Sequence, residues 1–77
     1  MPSDPLPPWV ITRRQAIGDN IRAARTAQRL SQEKLAELAG LDRKTVNRVE
    51  QATYATSIDH LLLIADALGV PLADLVR

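Results

Sequence analysis

Apolar residues recur every three or four positions along most of this chain, which is the spacing of amphipathic α-helices. The spacing predicts three helices at about residues 13–29, 32–39 and 43–51. A fourth helix is predicted to end at Gly69, and a short fifth one to begin near Pro71. No remaining segment shows the alternation of apolar and polar residues that is typical of a β-strand. We therefore predict an all-α fold, a compact five-helix bundle.

Residues that favour helix ends stand at the predicted boundaries. Ser31 and Asp42 are expected to cap the starts of the second and third helices, and Gly40 supplies the unusual backbone of the turn between them. Thr56 or Ser57 is expected to cap the fourth helix. The spacing of Thr56 and Asp59 is that of a capping box.

The inward faces follow from the same spacing. In the second helix Leu35, Leu38 and Ala39 are expected to face the core. The fourth helix is expected to bury one apolar stripe: Ile58, Leu61, Leu62, Ala65 and Leu68.

The chain is divided by composition into a proline-rich N-terminal arm, residues 1–12, and a helical domain, residues 13–77. Four prolines predict an extended arm. Its large apolar residues 9–11 are expected either to fold back over the first or fifth helix or to contact a second copy. Arg13 and Arg14, directly after the arm, are weak candidates for contact with a phosphate or a minor groove.

Composition limits the classes of protein that this chain can represent. A length of 77 residues is that of one domain, and the absence of cysteine favours an intracellular setting without disulfides. Because no apolar run approaches the length of a membrane span, a cytoplasmic protein is expected. The chain shows no catalytic constellation, metal-ligand cluster or phosphate-binding loop, so neither enzymatic activity nor a cofactor or metal is expected.

Charge is distributed unevenly although the net charge is only +1. Residues 13–50 carry nine basic and five acidic side chains, whereas residues 51–77 carry one basic and three acidic ones. Such an asymmetry is expected if one end of the molecule meets a polyanion, although chance clustering on a solvated surface explains the same counts.

The third predicted helix separates two kinds of side chain. At 100° per residue, long hydrogen-bond donors occupy one arc and Val46 and Val49 the other. The donors are of the types that contact guanine and adenine in the major groove of DNA: Arg43, Lys44, Asn47 and Arg48. An ordinary amphipathic surface helix has the same appearance. A capped short helix, a glycine turn and then this helix, however, is the arrangement of a helix-turn-helix.

The segment LSQEKLAELAGLDRKTVNRVE resembles the typical run LSQEELAELAGVSRSTISRIE of the lambda-repressor-like (Cro/Xre-type) helix-turn-helix family. The likeness extends over about residues 15–76, including IGDNIRAART and LLLIADALGVPLADLV. It implies binding of double-stranded DNA.

The resemblance also assigns roles by position. It implies base contacts by the four donors above, with Thr45 added, and a phosphate contact by Gln32. Weaker phosphate candidates are Arg22, Ser31, Gln51 and Thr53, with Tyr54 beside Thr53. Arg25 and Glu50 match a pair that forms a structural salt bridge.

Two positions depart from the family pattern. Ala52 stands where glycine is usual and Thr56 where proline is usual, so the third helix is expected to continue further or the loop to take another path. The loop after this helix has no basic residue, which predicts weaker electrostatic binding than in more basic relatives.

The leading hypothesis is a small transcriptional regulator, most simply a repressor, acting as a homodimer on a two-fold-symmetric operator. A dimer is expected to use the fifth helix, the end of the fourth helix or the arm, with Leu72 and Val76 as candidate contacts. One alternative is an antitoxin-like protein whose main task is to bind a protein partner. Another is a protein-interaction module of the same fold that has lost DNA binding.

Overall fold

The computed structural model describes residues 6–77 and contains five helices in this range. They are α1 (Pro8–Ala27), α2 (Gln32–Ala39), α3 (Arg43–Gln51), α4 (Ile58–Leu68) and α5 (Leu72–Val76). No strand occurs within the described range. The all-α prediction is confirmed, and the predicted bounds of the second and third helices agree with α2 and α3. No helix in residues 6–77 has both the length and the apolar character needed to cross a bilayer.

Helix α1 begins five residues earlier than predicted, so the expectation of an extended arm is wrong for residues 8–12. Pro8 is the first helical residue, a position where the missing N–H is not needed and the fixed φ suits a helix. Trp9 is 67% exposed. Because residues 9–11 belong to α1 itself, they do not fold back over it. Residues 6 and 7 precede the helix, and residues 1–5 of the predicted arm lie outside the described range.

The starts of three helices are capped by side chains. Ser31 accepts a hydrogen bond from the Lys34 amide at 2.9 Å, and Asp42 accepts one from the Thr45 amide at 2.7 Å. At α4 the cap is Ser57, whose hydroxyl accepts from the His60 amide at 3.1 Å. The alternative cap at Thr56 and the capping box built on it are therefore wrong.

Four of the helices end in one backbone motif, a left-handed residue followed by an amide that bonds back into the last turn. Glycine supplies the left-handed residue after α2 and α4, but Arg29 and Ala52 supply it after α1 and α3. Ala52 has φ of 57°. The chain thus keeps the left-handed turn that glycine would favour, and the expectation that α3 continues further is wrong.

Ala52→Gly is expected to raise the free energy of unfolding by about 0.5–1 kcal/mol. Relief of left-handed strain, about 1–2 kcal/mol, is offset by the greater freedom of glycine in the unfolded chain. Chemical denaturation measures the change. Exposed Ala23 in α1 provides the control, because Ala23→Gly should instead lower stability by about 1 kcal/mol. Loss of stability in Ala52→Gly would contradict the assignment of strain.

The core lies where all five helices converge. Each helix contributes at least one large residue that is almost fully buried: Ile21, Leu35, Val46, Ile64 and Leu75. Residues of α1 and of the turn directly after it also donate side-chain hydrogen bonds to carbonyls of the last two helices. Gln28 bonds the Leu68 carbonyl at 2.6 Å and Asn20 bonds the Leu75 carbonyl at 3.0 Å. These bonds hold α1 to α4 and α5, and α3 packs against α1.

Three apolar residues that were expected to face inward are exposed. Leu38 is 51% exposed because the buried face of α2 is centred on Leu35, Ala36 and Ala39, about a quarter-turn or more away. In α4, Ile58 is 68% and Leu62 49% exposed, because the core contacts Ile64 and its neighbours instead. The rest of the predicted stripe is correct: Ala65 and Leu68 are buried, and the partly buried Leu61 packs against the core.

Candidate nucleic-acid interface

Helix α3 buries one face and exposes the other. Val46 and Val49 are buried in the core, at 0% and 5% exposure. The predicted base-contacting residues lie elsewhere on the helix: Arg43, Lys44 and Arg48 are exposed, and Thr45 and Asn47 are half-buried. The two valines therefore hold the helix to the bundle while the cationic side chains extend from its free side.

Glu50 is the one buried charged residue among those described, at 2% exposure. Arg25 binds its carboxylate through two hydrogen bonds, Nε to Oε2 at 2.6 Å and Nη2 to Oε1 at 2.9 Å. Arg25 also donates from Nη1 to the Leu30 carbonyl at 2.8 Å. The structure thus contains the predicted ion pair, and this pair joins the end of α1 to the last turn of α3.

Two amide side chains extend this network to the exposed face of α3. Gln32 donates from Nε2 to Glu50 Oε1 at 3.1 Å and accepts at Oε1 from Asn47 Nδ2 at 3.2 Å. A continuous chain of hydrogen bonds therefore runs from Arg25 through Glu50 and Gln32 to Asn47. Sequence reasoning assigned Gln32 and Asn47 to DNA and missed that they contact each other.

Burial is the strongest single influence on the pKa of Glu50 and would raise it. The hydrogen bonds from Arg25 and Gln32, together with the charges of Arg25 and Arg22, outweigh burial and leave this pKa below its usual value. The hydrogen bond to Glu50 correspondingly raises the pKa of Arg25. Both groups are therefore charged at neutral pH, as an orienting ion pair requires.

The pKa of Asp42 is also lowered, here by hydrogen bonding from Thr45. A charged carboxylate at the start of α3 suits the positive end of the helix. The cap thus stabilises the first turn of α3, where Arg43 and Lys44 stand.

The predicted phosphate contacts surround this helix without forming one cluster. Gln51 and Thr53 are exposed at and after its end, and Ser31 is exposed at the start of α2. The Arg22 side chain is 49% exposed, with Nε 3.6 Å from Glu50 Oε1. Gln32 is half-buried, and both ends of its amide are engaged within the protein.

Sequence reasoning also missed Gly18 in α1. A Cβ at this position would lie 2.8 Å from the carbonyl oxygen of Val49 and still closer to that of Glu50. Both atoms belong to the backbone of α3, so the two helices pack in direct contact here. The only signal available was a glycine in the middle of a helical pattern, where glycine is otherwise unfavourable.

A model of the helix-turn-helix family matches residues 21–75, and the chain belongs to this family. The match confirms the family that the resemblance indicated. The matched residues include the whole of α2 and α3.

Similar proteins are regulators. The control protein C.SmaI of Serratia marcescens is 32% identical over 63 residues, which are 82% of this chain and 75% of that protein. A putative HTH-type transcriptional regulatory protein of Methanosarcina mazei is 39% identical over 56 residues. This match covers 73% of the present chain but only 17% of the Methanosarcina protein. The expectation of a transcriptional regulator rather than an enzyme agrees with these relatives.

Solved structures show the same fold. The restriction-modification controller protein C.AhdI of Aeromonas hydrophila superposes with a TM-score of 0.80 at 39% identity, covering 83% of this chain and 97% of that one. The hypothetical transcription factor NHTF of Neisseria has a TM-score of 0.81 at 32% identity, covering 100% and 86%. The first helix is included in the second match, which spans the whole of the present chain.

Proposed function

We propose that this protein is a transcriptional regulator that binds double-stranded DNA by placing α3 in the major groove. One observation carries the proposal: the cationic side chains of α3 are exposed while its valines are buried and Glu50 is fixed by ion pairing. A helix that is anchored on one side and donor-rich on the other suits base recognition. Membership of the helix-turn-helix family supports the same function.

Within α3, we assign base contacts to Arg43, Lys44 and Arg48, whose side chains are free to reach guanine. Asn47 gives one amide N–H to Gln32, so its contact with a base would use the second N–H and the carbonyl oxygen. The network sets the position of this amide before DNA binds. Thr45 contributes a hydroxyl and a methyl group beside them.

Phosphate contacts are assigned to the ends of helices and to nearby polar side chains. Because the Gln32 side chain is engaged within the protein, its phosphate contact would come from the backbone amide in the first turn of α2. Side-chain contacts would come from the residues exposed around α3: Arg22, Ser31, Gln51 and Thr53. These contacts would position the protein along the duplex without selecting a base sequence.

We assign the active form as a homodimer on a two-fold-symmetric operator, with half-sites about 10 bp apart. The support is the exposure of three large apolar side chains on α4: Ile58, Leu62 and Leu63. Leu72 and Val76 are half-buried, which makes them less suitable than these three as the main contacts. A dimer bound across a promoter in the cytoplasm would act as a repressor by blocking polymerase.

The antitoxin-like alternative gains no specific support from the structure. It rested on an exposed arm and a weak charge balance. Residues 8–12 of that arm are helical, and a net charge of +1 does not distinguish a protein partner from DNA. A separate protein partner therefore remains a hypothesis, to be tested by co-purification.

The direct test is selection of bound duplexes from a random library at two salt concentrations. We expect an enriched motif with two-fold symmetry. We also expect affinity to fall as salt is raised, because the cationic side chains of the protein release counterions from the DNA phosphates and this release is less favourable at high salt. Sedimentation of the bound complex should give two protein chains per duplex. Absence of any enriched motif would refute sequence-specific binding.

Arg43→Ala is expected to weaken binding to the selected duplex by about 1–3 kcal/mol and to relax selection at one base pair per half-site. The reason is loss of donors that guanine O6 and N7 accept. Arg77→Ala is the matched control: it removes the same charge at the exposed end of the chain and should leave the motif unchanged. An equal loss on every duplex would show that Arg43 contacts only phosphate.

A further inference from the structure

Arg48 is in contact with an aromatic ring outside its own helix. Its guanidinium carbon lies over the ring of Tyr54, 4.7 Å from the ring centroid. This separation is within the range of a cation–π interaction. Tyr54 is the one tyrosine of the chain and is 56% exposed.

The turn after α3 brings Tyr54 to this place. Ala52 adopts the left-handed conformation, and the Thr53 amide donates to the Arg48 carbonyl at 3.2 Å. The chain therefore folds back against the last turn of α3 instead of leaving it. The next residue, Tyr54, is held beside the side chain that stands on that turn.

The contact leaves the hydrogen-bond donors of Arg48 available. Among residues 6–77, no hydrogen bond or ion pair occupies its guanidinium. Attraction to the face of a ring uses the positive charge and no acceptor, so the N–H groups remain for a base. Arg43 and Lys44 stand on the same helix without an aromatic contact in the described structure. Arg48 is thus the cation of α3 that is oriented before DNA arrives.

Resting on the proposed function, we propose that Tyr54 is a positioning residue that holds Arg48 for contact with one base pair. Arginine has many rotamers, and an unrestrained guanidinium near DNA also reaches phosphates, which carry no sequence information. A ring that restricts it lowers the entropy lost on binding the base and disfavours the alternative contacts. Tyr54 therefore increases discrimination at the base pair that Arg48 contacts.

A different role for Tyr54 is a hydrogen bond from its hydroxyl to phosphate. The two roles depend on different atoms, since the ring face holds Arg48 and the hydroxyl would hold phosphate. Tyr54→Phe keeps the ring and removes the hydroxyl, whereas Tyr54→Leu removes both. The pair of variants therefore separates the roles.

The experiment measures affinities of the full chain and its variants for the selected duplex and for duplexes changed at each base pair, at two salt concentrations. In Tyr54→Leu, discrimination at the base pair that Arg48→Ala relaxes should fall about 2- to 5-fold. A change of this size corresponds to the loss of an exposed cation–π contact. Tyr54→Phe should retain it. Adding Tyr54→Leu to Arg48→Ala should cause no further loss at that base pair.

Two results would overturn the inference while leaving DNA recognition by α3 intact. Unchanged discrimination in Tyr54→Leu would show that the ring does not position Arg48. An equal loss of affinity by Tyr54→Phe and Tyr54→Leu on all duplexes, with discrimination unchanged in both variants, would show a phosphate contact by the hydroxyl instead. If the unsubstituted protein selects no motif, the proposed function itself fails and the inference fails with it. Thermal unfolding of each variant checks that the exposed substitution leaves the fold intact.

Discussion

Glu50→Ala is expected to lower the free energy of unfolding by about 3–5 kcal/mol, the cost of breaking a buried ion pair by removal of one partner. Glu50 is 2% exposed, and its carboxylate accepts hydrogen bonds from Arg25 and Gln32. The substitution leaves the partly buried guanidinium of Arg25 without its carboxylate. Chemical denaturation at neutral pH measures the loss.

The matched control for Glu50 is Glu37→Ala. Glu37 pairs with Lys34 at 3.5 Å on the surface of α2, where both side chains are exposed. Removing this exposed pair should cost less than about 1 kcal/mol. If the two variants lost the same small amount of stability, Glu50 would be an ordinary surface charge in energetic terms, which would contradict its assigned role.

Gly18→Ala is expected to lower the free energy of unfolding by about 1–3 kcal/mol, although alanine is the better helix former. The added methyl would meet the carbonyl oxygens of Val49 and Glu50 at less than contact distance. Backbone atoms cannot change rotamer, so α1 and α3 must separate. Denaturation again measures the loss.

The same substitution should weaken binding to the selected duplex, because a shifted α3 no longer aligns with contacts made by the rest of the protein. Measurement at a temperature where the variant is fully folded separates this effect from unfolding. A glycine-to-alanine substitution at a solvent-exposed position in a helix stabilises a protein by about 0.5–1 kcal/mol. If Gly18→Ala gave this stabilisation, direct packing of the two helices would be contradicted.

Local features of this fold were predictable because they depend on neighbouring residues. The caps at Ser31 and Asp42 follow from a hydroxyl or carboxylate three residues before a free amide. The start of α1 was missed because proline both disfavours a helix interior and favours its first position. The sequence pattern alone did not show which of these two effects of proline applies at Pro8.

The candidate site was predictable only in part. Residue types placed donors on one face of α3, and the family resemblance supplied the pairing of Arg25 with Glu50. The hydrogen bond between Gln32 and Asn47 depends on the relative placement of α2 and α3, which no sequence spacing fixes. The contact of Arg48 with Tyr54 likewise depends on the left-handed turn at Ala52, where alanine gives no signal of positive φ.

The central claim is that exposed side chains of α3 contact base edges in the major groove. Methylation interference on the selected duplex tests it most directly, because methylation of guanine N7 blocks the major groove and methylation of adenine N3 blocks the minor groove. We expect N7 methylation to prevent binding at specific guanines of each half-site, and Arg43→Ala to lose this sensitivity at one of them. Binding that is insensitive to N7 methylation, or a pattern that Arg43→Ala leaves unchanged, would contradict the claim.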